Sequence, residues 1–87
     1  MKIYTLTHCP YCVELKNLLI SDNIPFTELN VDLPENEKEY ASITKLAGEE
    51  VVPLVKIKNM LLVPNKSFHT IYDGYLLIKK LLNEEQI

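Results

Sequence analysis

The chain carries two cysteines, and both lie in the tetrapeptide Cys9-Pro10-Tyr11-Cys12. Two thiols three positions apart at the start of a helix can close into a disulfide and reopen. A structural disulfide usually spans a longer loop, because the entropy that it removes from the unfolded chain grows with loop length. We therefore interpret this pair as redox chemistry and not as a structural cross-link.

The expected helix start would make Cys9 reactive. A sulfur at the N-cap faces backbone N–H groups that have no partner inside the helix, and the thiolate is the form that attacks a disulfide. A free thiol is only roughly 3% ionised at pH 7, and near-complete ionisation needs about 4 kcal/mol of differential stabilisation. The helix dipole supplies at most about 2 kcal/mol, so the N–H groups of Tyr11 and Cys12 are expected to supply the rest. Cys9 is thus predicted to attack, and the more buried Cys12 to resolve the mixed disulfide.

The two histidines are further candidates for the site. His8 could favour the thiolate as a protonated imidazole, or it could point away from Cys9, as neighbours at a strand end do; His69 is expected in solvent.

Other uses of the cysteine pair have less support from the sequence. Zinc requires four ligands, and the chain adds only these two histidines, at unsuitable spacing, so we predict no metal site. An inert buried pair is the remaining alternative, but Pro10 at the first helical position after a strand is the context of a redox motif.

Composition limits the class of protein. The 87 residues are 47% apolar and 24% charged, which is typical of one soluble domain, here spanning residues 1–87. A net charge of −3 provides no basic surface for nucleic acid or an anionic membrane. No apolar run approaches the roughly 20 residues of a membrane span, and residues 1–7 are too short for a signal peptide. We therefore expect a cytoplasmic protein, where an isolated C-x-x-C is catalytic or metal-binding.

Hydrophobic periodicity predicts an alternation of strands and helices. The expected elements are strand 2–7, a helix from Pro10 to about residue 22, strand 26–31, a helix from Leu33 to Gly48, strands 51–57 and 60–63, and a helix ending near Asn83. The first two strands must pair in parallel, and the later hairpin adds antiparallel strands. The predicted fold is α/β, with a four-stranded mixed sheet flanked by three helices in the order β-α-β-α-β-β-α.

Each helix has an expected buried face. The predicted inward residues are Tyr11, Leu15, Leu18 and Leu19 in the first helix, Tyr40, Ile43 and Ala47 in the second, and Ile71, Tyr75, Ile78 and Leu82 in the third. Thr70 and Asp73 have the spacing of a capping box at the third helix. A start at Ser67 is the alternative, and it would bury Phe68, Ile71, Tyr72 and Tyr75 instead.

Further motifs lie in order along the chain: Ile24-Pro25-Phe26, Val31-Asp32 and Val52-Pro53. Together with Cys-Pro-Tyr-Cys they resemble the glutaredoxin family, which has the thioredoxin-like fold. The resemblance implies a cis peptide before Pro53, and X-Pro is the bond at which cis costs only about 0.5–1 kcal/mol. An ordinary trans proline at a strand edge is the alternative. With a cis bond, the Val52 backbone is expected to pair with an extended peptide or glutathione, and Tyr11 to pack on the substrate.

The resemblance also implies glutathione as a co-substrate, with no bound cofactor. Similar proteins usually carry Lys at the position of Leu6 and Gln or Arg near Glu49 and Glu50, so cationic partners of the anionic glutathione are replaced here. A Gly-Gly pair also usually precedes the last helix, where this chain has residues 63–66. Lys66 and Thr70, at the start of the last helix, are predicted to receive one carboxylate instead.

The function that the resemblance implies is a monomeric thiol–disulfide oxidoreductase. It would reduce protein disulfides or glutathione mixed disulfides through Cys9 and Cys12, with ribonucleotide reductase as one possible acceptor. One alternative is reduction by a thioredoxin-reductase-like flavoenzyme in place of glutathione. Another is an iron–sulfur cluster carrier that holds the cluster between two protomers, against which Pro10 argues. A redox-inactive adaptor is disfavoured because both cysteines are present.

Overall fold

The computed structural model describes residues 1–84. Its elements are β1 (Lys2–Thr5), α1 (Pro10–Ser21), β2 (Thr27–Asn30), a 3₁₀ turn (Pro34–Asn36), α2 (Glu37–Ala47), β3 (Leu54–Ile57), β4 (Met60–Leu62) and α3 (Ile71–Glu84). The predicted order β-α-β-α-β-β-α is confirmed, with a 3₁₀ turn where the second helix was expected to begin. Within residues 1–84, no helix is long and apolar enough to cross a membrane.

The four strands form one mixed sheet in the order β2-β1-β3-β4. β1 and β2 run parallel, with Lys2 opposite Thr27, whereas β1 pairs with β3 and β3 with β4 in antiparallel fashion. The predicted four-stranded mixed sheet is confirmed. Because β1 lies in the middle and leads directly into α1, the start of α1 is fixed at the carboxyl end of a central strand.

Side chains of β1 alternate between the two faces of the sheet. Ile3 belongs to a core with α1 and α3, and Tyr4 belongs to a second core with α2; both are fully buried. A central strand that is buried on both faces contacts a neighbouring strand or a core everywhere except at its ends. The segment that continues from β1 into the cysteine motif therefore starts from a rigid position.

The strands are shorter than the hydrophobic pattern predicted. β1 ends at Thr5 and not at position 7, because the chain then turns and His8 adopts a left-handed conformation with φ 61°. β3 begins at Leu54 and not at position 51, since Pro53 has no N–H with which to continue a ladder. Apolar residues continue past the hydrogen-bonded segments, and this made the predicted strands too long.

Two of the predicted helix faces differ by one residue from those observed. Tyr11 has the spacing of the apolar face of α1 but was also expected to pack on the substrate; it is 66% exposed, and Cys12 faces the core together with Leu15. In α3, Leu82 packs against the core as predicted but is only partly buried, and the adjacent Leu81 is buried as well. Adjacent helical residues lie about 100° apart, so a small rotation of a helix exchanges which of two neighbouring apolar side chains faces the core.

The predicted helix ends are confirmed at α2 and α3. Gly48 follows α2 in the left-handed conformation, with φ 83°, as a C-terminal glycine commonly does. The Thr70 hydroxyl accepts a hydrogen bond from the Asp73 N–H at 3.0 Å, and α3 begins at Ile71. The alternative start at Ser67 is wrong, because the Ser67 hydroxyl instead accepts from the Val63 N–H at 3.0 Å.

A polar contact joins the C-terminal end of α1 to α3. The Tyr75 hydroxyl donates to Asp22 Oδ2 at 2.6 Å, and Lys79 Nζ lies 2.9 Å from the same oxygen. The hydrogen bond from Tyr75, and then that from Lys79, lowers the pKa of Asp22. This carboxylate therefore connects two helices that share one core.

The contacts of Asp22 predict that the stability of the fold depends on pH in the acidic range. A carboxyl whose pKa is lowered by folding stabilises the native state above its ordinary pKa of about 3.8, and this contribution is lost as the pH falls through the folded value. Asp22→Asn should therefore lower the free energy of unfolding at pH 7, and the difference from wild type should shrink as the pH falls below about 3.8. Urea denaturation followed by circular dichroism at a series of pH values measures this.

Glu49→Gln provides the matched control, because Glu49 is an exposed carboxylate in the loop after α2. The two substitutions change the net charge equally. If both variants lose the same stability at pH 7, the effect comes from net charge and not from the contact between Asp22, Tyr75 and Lys79.

Candidate active site

Cys9 lies at the N-cap of α1, as predicted. Its backbone is extended, with φ −108° and ψ 101°, and Pro10 occupies the first helical position. Cys9 Sγ accepts a hydrogen bond from the Cys12 N–H at 3.1 Å, and the Cys9 carbonyl accepts from the Val13 N–H at 3.1 Å. The sulfur thus occupies the position at which a helix offers unpaired N–H donors.

Cys9 and Cys12 are joined by a disulfide, with their Cα atoms 5.2 Å apart. Cys9 is 9% exposed and Cys12 1% exposed. The two sulfurs are therefore close enough to form and break their mutual bond, and they differ in access. A molecule approaching from solvent meets Cys9 first.

The turn before Cys9 is held by the end of β2. The Thr7 N–H donates to Asp32 Oδ2 at 2.9 Å, and Asn30 Nδ2 donates to the Thr7 hydroxyl at 3.1 Å. The Thr7 N–H is the main cause of a lowered pKa of Asp32, followed by the Thr7 hydroxyl and, more weakly, by His8. Asp32 therefore fixes the backbone that leads into Cys9, a role that was not predicted from the sequence. His8 itself is exposed, and its effect on Cys9 stays a prediction.

A groove of about 460 Å³ adjoins the cysteine motif at Tyr11. Two walls come from α1 and from the segment before β3, and the third comes from the loop before α3. Its lining residues are Tyr11, Glu14, Val52, Pro53, Pro64, Asn65, Phe68, His69, Thr70, Ile71 and Tyr72. The Val52–Pro53 peptide bond is cis, as the resemblance implied. The structure thus brings together four predicted binding residues: Tyr11, Val52, Pro53 and Thr70.

Lys66, the fifth predicted binding residue, does not line this groove. Its Nζ donates to the Ala47 carbonyl at 2.7 Å and so caps the C-terminal end of α2. A cation at that end of a helix also interacts favourably with the helix dipole. The structure therefore places the predicted glutathione cation at a helix terminus.

Four polar or aromatic residues of the groove were missed in the sequence: Glu14, Asn65, His69 and Tyr72. Glu14 could have been found, because it lies three residues after Tyr11 on the same helix face. The position of His69 depends on the path of the loop, which is set by a hydrogen bond of 2.7 Å from the Asn65 N–H to the Phe68 carbonyl. No sequence periodicity reports such a loop contact.

The chain is similar in sequence to known proteins over about two thirds of its length or slightly more. The family model named Glutaredoxin matches residues 1–62. Glutaredoxin 1 of Rickettsia typhi is 41% identical over 58 residues, which is 67% of this chain and 56% of that protein. The chain therefore spans little more than half the length of this relative. A glutaredoxin-like 8.6 kDa protein in the rubredoxin operon of Clostridium pasteurianum is 38% identical over 65 residues, covering 72% of this chain and 81% of that protein.

The fold has a counterpart among solved structures. The crystal structure of the holo form of glutaredoxin C1 from Populus tremula x tremuloides superposes with a TM-score of 0.65 at 20% identity, covering 98% of this chain and 77% of that one. This likeness supports the thioredoxin-like fold. With a C-x-x-C pair at the start of α1 and a family match over residues 1–62, the chain belongs to the glutaredoxin family.

Proposed function

We propose that this chain reduces disulfides in proteins, and mixed disulfides with glutathione, through a cycle of the Cys9–Cys12 dithiol. One observation carries the proposal. Cys9 Sγ lies at the N-cap of α1, accepts a hydrogen bond from the Cys12 N–H at 3.1 Å, and is the more exposed of the two sulfurs. This arrangement provides an accessible nucleophile and a second thiol within bonding reach.

The reduced protein would begin the reaction. The Cys9 thiolate forms a bond to one sulfur of the substrate disulfide, the substrate bond breaks, and the other substrate sulfur leaves as a thiolate that takes up a proton. Cys12 then loses its proton and attacks Cys9 Sγ. This breaks the mixed disulfide and releases the second substrate thiol. The substrate has gained two electrons and two protons, and the protein is left with the Cys9–Cys12 disulfide that the structure contains.

The start of α1 would stabilise the attacking thiolate. The Cys12 N–H already points at Cys9 Sγ. A hydrogen bond to an ionised acceptor is roughly twice as strong as one between neutral groups. The same donor therefore favours the reduced thiolate more than the disulfide sulfur, and it lowers the free energy of the nucleophilic form.

Glutathione is the proposed co-substrate that restores the dithiol. Two glutathione molecules would supply the two electrons and two protons and leave as glutathione disulfide. A second candidate is a thioredoxin-reductase-like flavoenzyme, which would reduce the disulfide through its own dithiol. The groove favours this candidate, because its lining among residues 1–84 contains no lysine or arginine that could pair with a glutathione carboxylate.

Several finer expectations stay predictions. Ribonucleotide reductase is one proposed acceptor among proteins with a reducible disulfide. The monomeric state and the cytoplasmic location likewise follow from the resemblance and the composition.

A coupled assay with two electron sources tests the function. The oxidation of NADPH is followed with insulin as the disulfide substrate, in one arm with glutathione and glutathione reductase, and in the other with thioredoxin reductase. We expect the protein to accelerate NADPH consumption above the protein-free rate in at least one arm. The ratio of the two rates identifies the electron source that the protein accepts.

A third arm with dithiothreitol separates activity from reductant choice. Dithiothreitol reduces the Cys9–Cys12 disulfide chemically, so the proposed chemistry should accelerate insulin reduction there whichever reductant is physiological. If the protein gives no acceleration in any of the three arms, the proposed function is wrong.

A further inference from the structure

Among residues 1–84, the groove beside the cysteine motif is lined by one carboxylate and by no basic residue other than His69. Glu14 projects from α1 into its lining, and it is the one carboxylate among the lining residues that the structure describes. None of those lining residues is lysine or arginine. A negative side chain in a concave surface raises the local concentration of cations and lowers that of anions.

The lysines nearest to the groove in the sequence are engaged elsewhere. Lys66 Nζ donates to the Ala47 carbonyl at 2.7 Å. Lys16, two residues after Glu14, points to the sheet, where its Nζ lies 2.8 Å from Glu28 Oε2. Both contacts direct a positive charge away from the groove, so neither lysine balances the charge of Glu14.

Two tyrosines of the groove are largely exposed to solvent. Tyr11 is 66% exposed and Tyr72 is 56% exposed. A tyrosine face attracts a lysine ammonium or an arginine guanidinium, by about 0.5–1 kcal/mol at exposed sites. The fold itself contains such a contact, since Lys79 Nζ lies 5.2 Å from the centre of the Tyr75 ring. The rings and the carboxylate therefore favour the same kind of ligand.

We infer that the groove selects a polypeptide substrate that carries a lysine or arginine close to its disulfide cysteine. This inference rests on the proposed function and names the substrate class for the same site. The chemistry is the two-step exchange through Cys9 and Cys12 described above. The substrate's basic side chain would lie near Glu14 while the Cys9 thiolate attacks the substrate sulfur. An anionic segment in the same place would be repelled.

Three peptides of identical length test this selection. Each contains one intramolecular disulfide and differs only at the residue beside the first cysteine, which is Lys, Gln or Glu. The second-order rate constant for reduction by the pre-reduced protein is measured at low ionic strength and again at 0.5 M NaCl. A unit charge near one carboxylate in a partly solvated groove should change the rate severalfold, so we expect about a tenfold ratio between the Lys and Glu peptides, falling to about twofold in salt.

Charge variants assign the selection to Glu14. In Glu14→Gln the ratio between the Lys and Glu peptides should fall to about threefold, and in Glu14→Lys it should fall below one. The ratio is taken within one variant, so any change in the reactivity of Cys9 cancels. Glu84→Gln is the matched control with the same change in net charge, and it lies about 18 Å along α3 from Tyr72. It should keep the wild-type ratio.

Each outcome has one interpretation. If all three peptides are reduced at equal rates by the wild type, the inference is wrong and the oxidoreductase function stands. If Glu14→Gln and Glu84→Gln lower the ratio equally, the preference comes from net charge and the assignment to the groove is wrong. If no peptide is reduced, the proposed function itself fails.

Discussion

Replacing Cys9 by serine should reduce the rate of disulfide reduction to the protein-free background, whereas Cys12→Ser should keep activity towards mixed disulfides with glutathione. A serine hydroxyl is not ionised near neutral pH and cannot form the mixed disulfide, so without the Cys9 thiolate neither reaction can start. Without Cys12 the first exchange still occurs, and a second glutathione can release the product. The difference follows from exposure: Cys9 is 9% exposed and Cys12 1%.

Two substrates distinguish the roles. Reduction of a peptide disulfide and release of glutathione from a glutathionylated peptide are measured for the wild type and both variants. Cys12→Ser is expected to accumulate a mixed disulfide at Cys9, which mass spectrometry of the intact protein detects. Equal partial activity of the two variants, or a mixed disulfide trapped at Cys12 in Cys9→Ser, would contradict this division of roles.

The cysteine site could be predicted from the sequence because its geometry is local. Cys9, Pro10 and Cys12 lie within four residues, and the spacing together with proline at the first helical position places one sulfur at the N-cap and the other one turn inside. The observed N-cap and disulfide involve these same residues and need no distant part of the chain. The supporting contact from Asp32 was missed because it is a side-chain contact across 25 positions.

The groove could be predicted only in part, because its walls come from distant segments. Lys66 shows why. Its position before α3 suggested a binding cation, but its ammonium caps a helix that ends 19 positions earlier. Both uses satisfy the chemistry of a lysine, and only the path of the loop decides between them. The exposure of Tyr11 likewise depended on which of two adjacent residues α1 turns towards its core.

The contact between Gly74 and Phe68 shapes both the core and the groove. Gly74 is buried in α3, and a Cβ added there would lie 3.0 to 3.2 Å from three atoms of the Phe68 ring. Phe68 is 6% exposed and also lines the groove. A glycine inside a helix costs about 1 kcal/mol relative to alanine. Here it allows an aromatic ring to pack directly on the helix backbone.

A double-mutant cycle should show a reversal of sign. Phe68→Ala alone should lower the free energy of unfolding by about 3–5 kcal/mol. Gly74→Ala alone should also be destabilising, by about 1 kcal/mol, because overpacking of about 1–3 kcal/mol exceeds the gain in helix propensity. In the Phe68→Ala background the same Gly74→Ala change should stabilise by about 1 kcal/mol, since the ring that opposed the new methyl group is gone. Urea denaturation followed by circular dichroism measures all four proteins.

Gly48→Ala serves as the matched control, because Gly48 has φ 83° and alanine is strained there whatever its neighbours are. It should be destabilising by a similar amount with either residue at position 68. Phe68→Leu is the milder partner for the cycle if Phe68→Ala does not fold. The contrary outcome is that Gly74→Ala is destabilising to the same extent with Phe, Leu and Ala at position 68. In that case the Phe68 ring is not the reason that position 74 requires glycine, and the packing of Phe68 on α3 does not shape this wall of the groove.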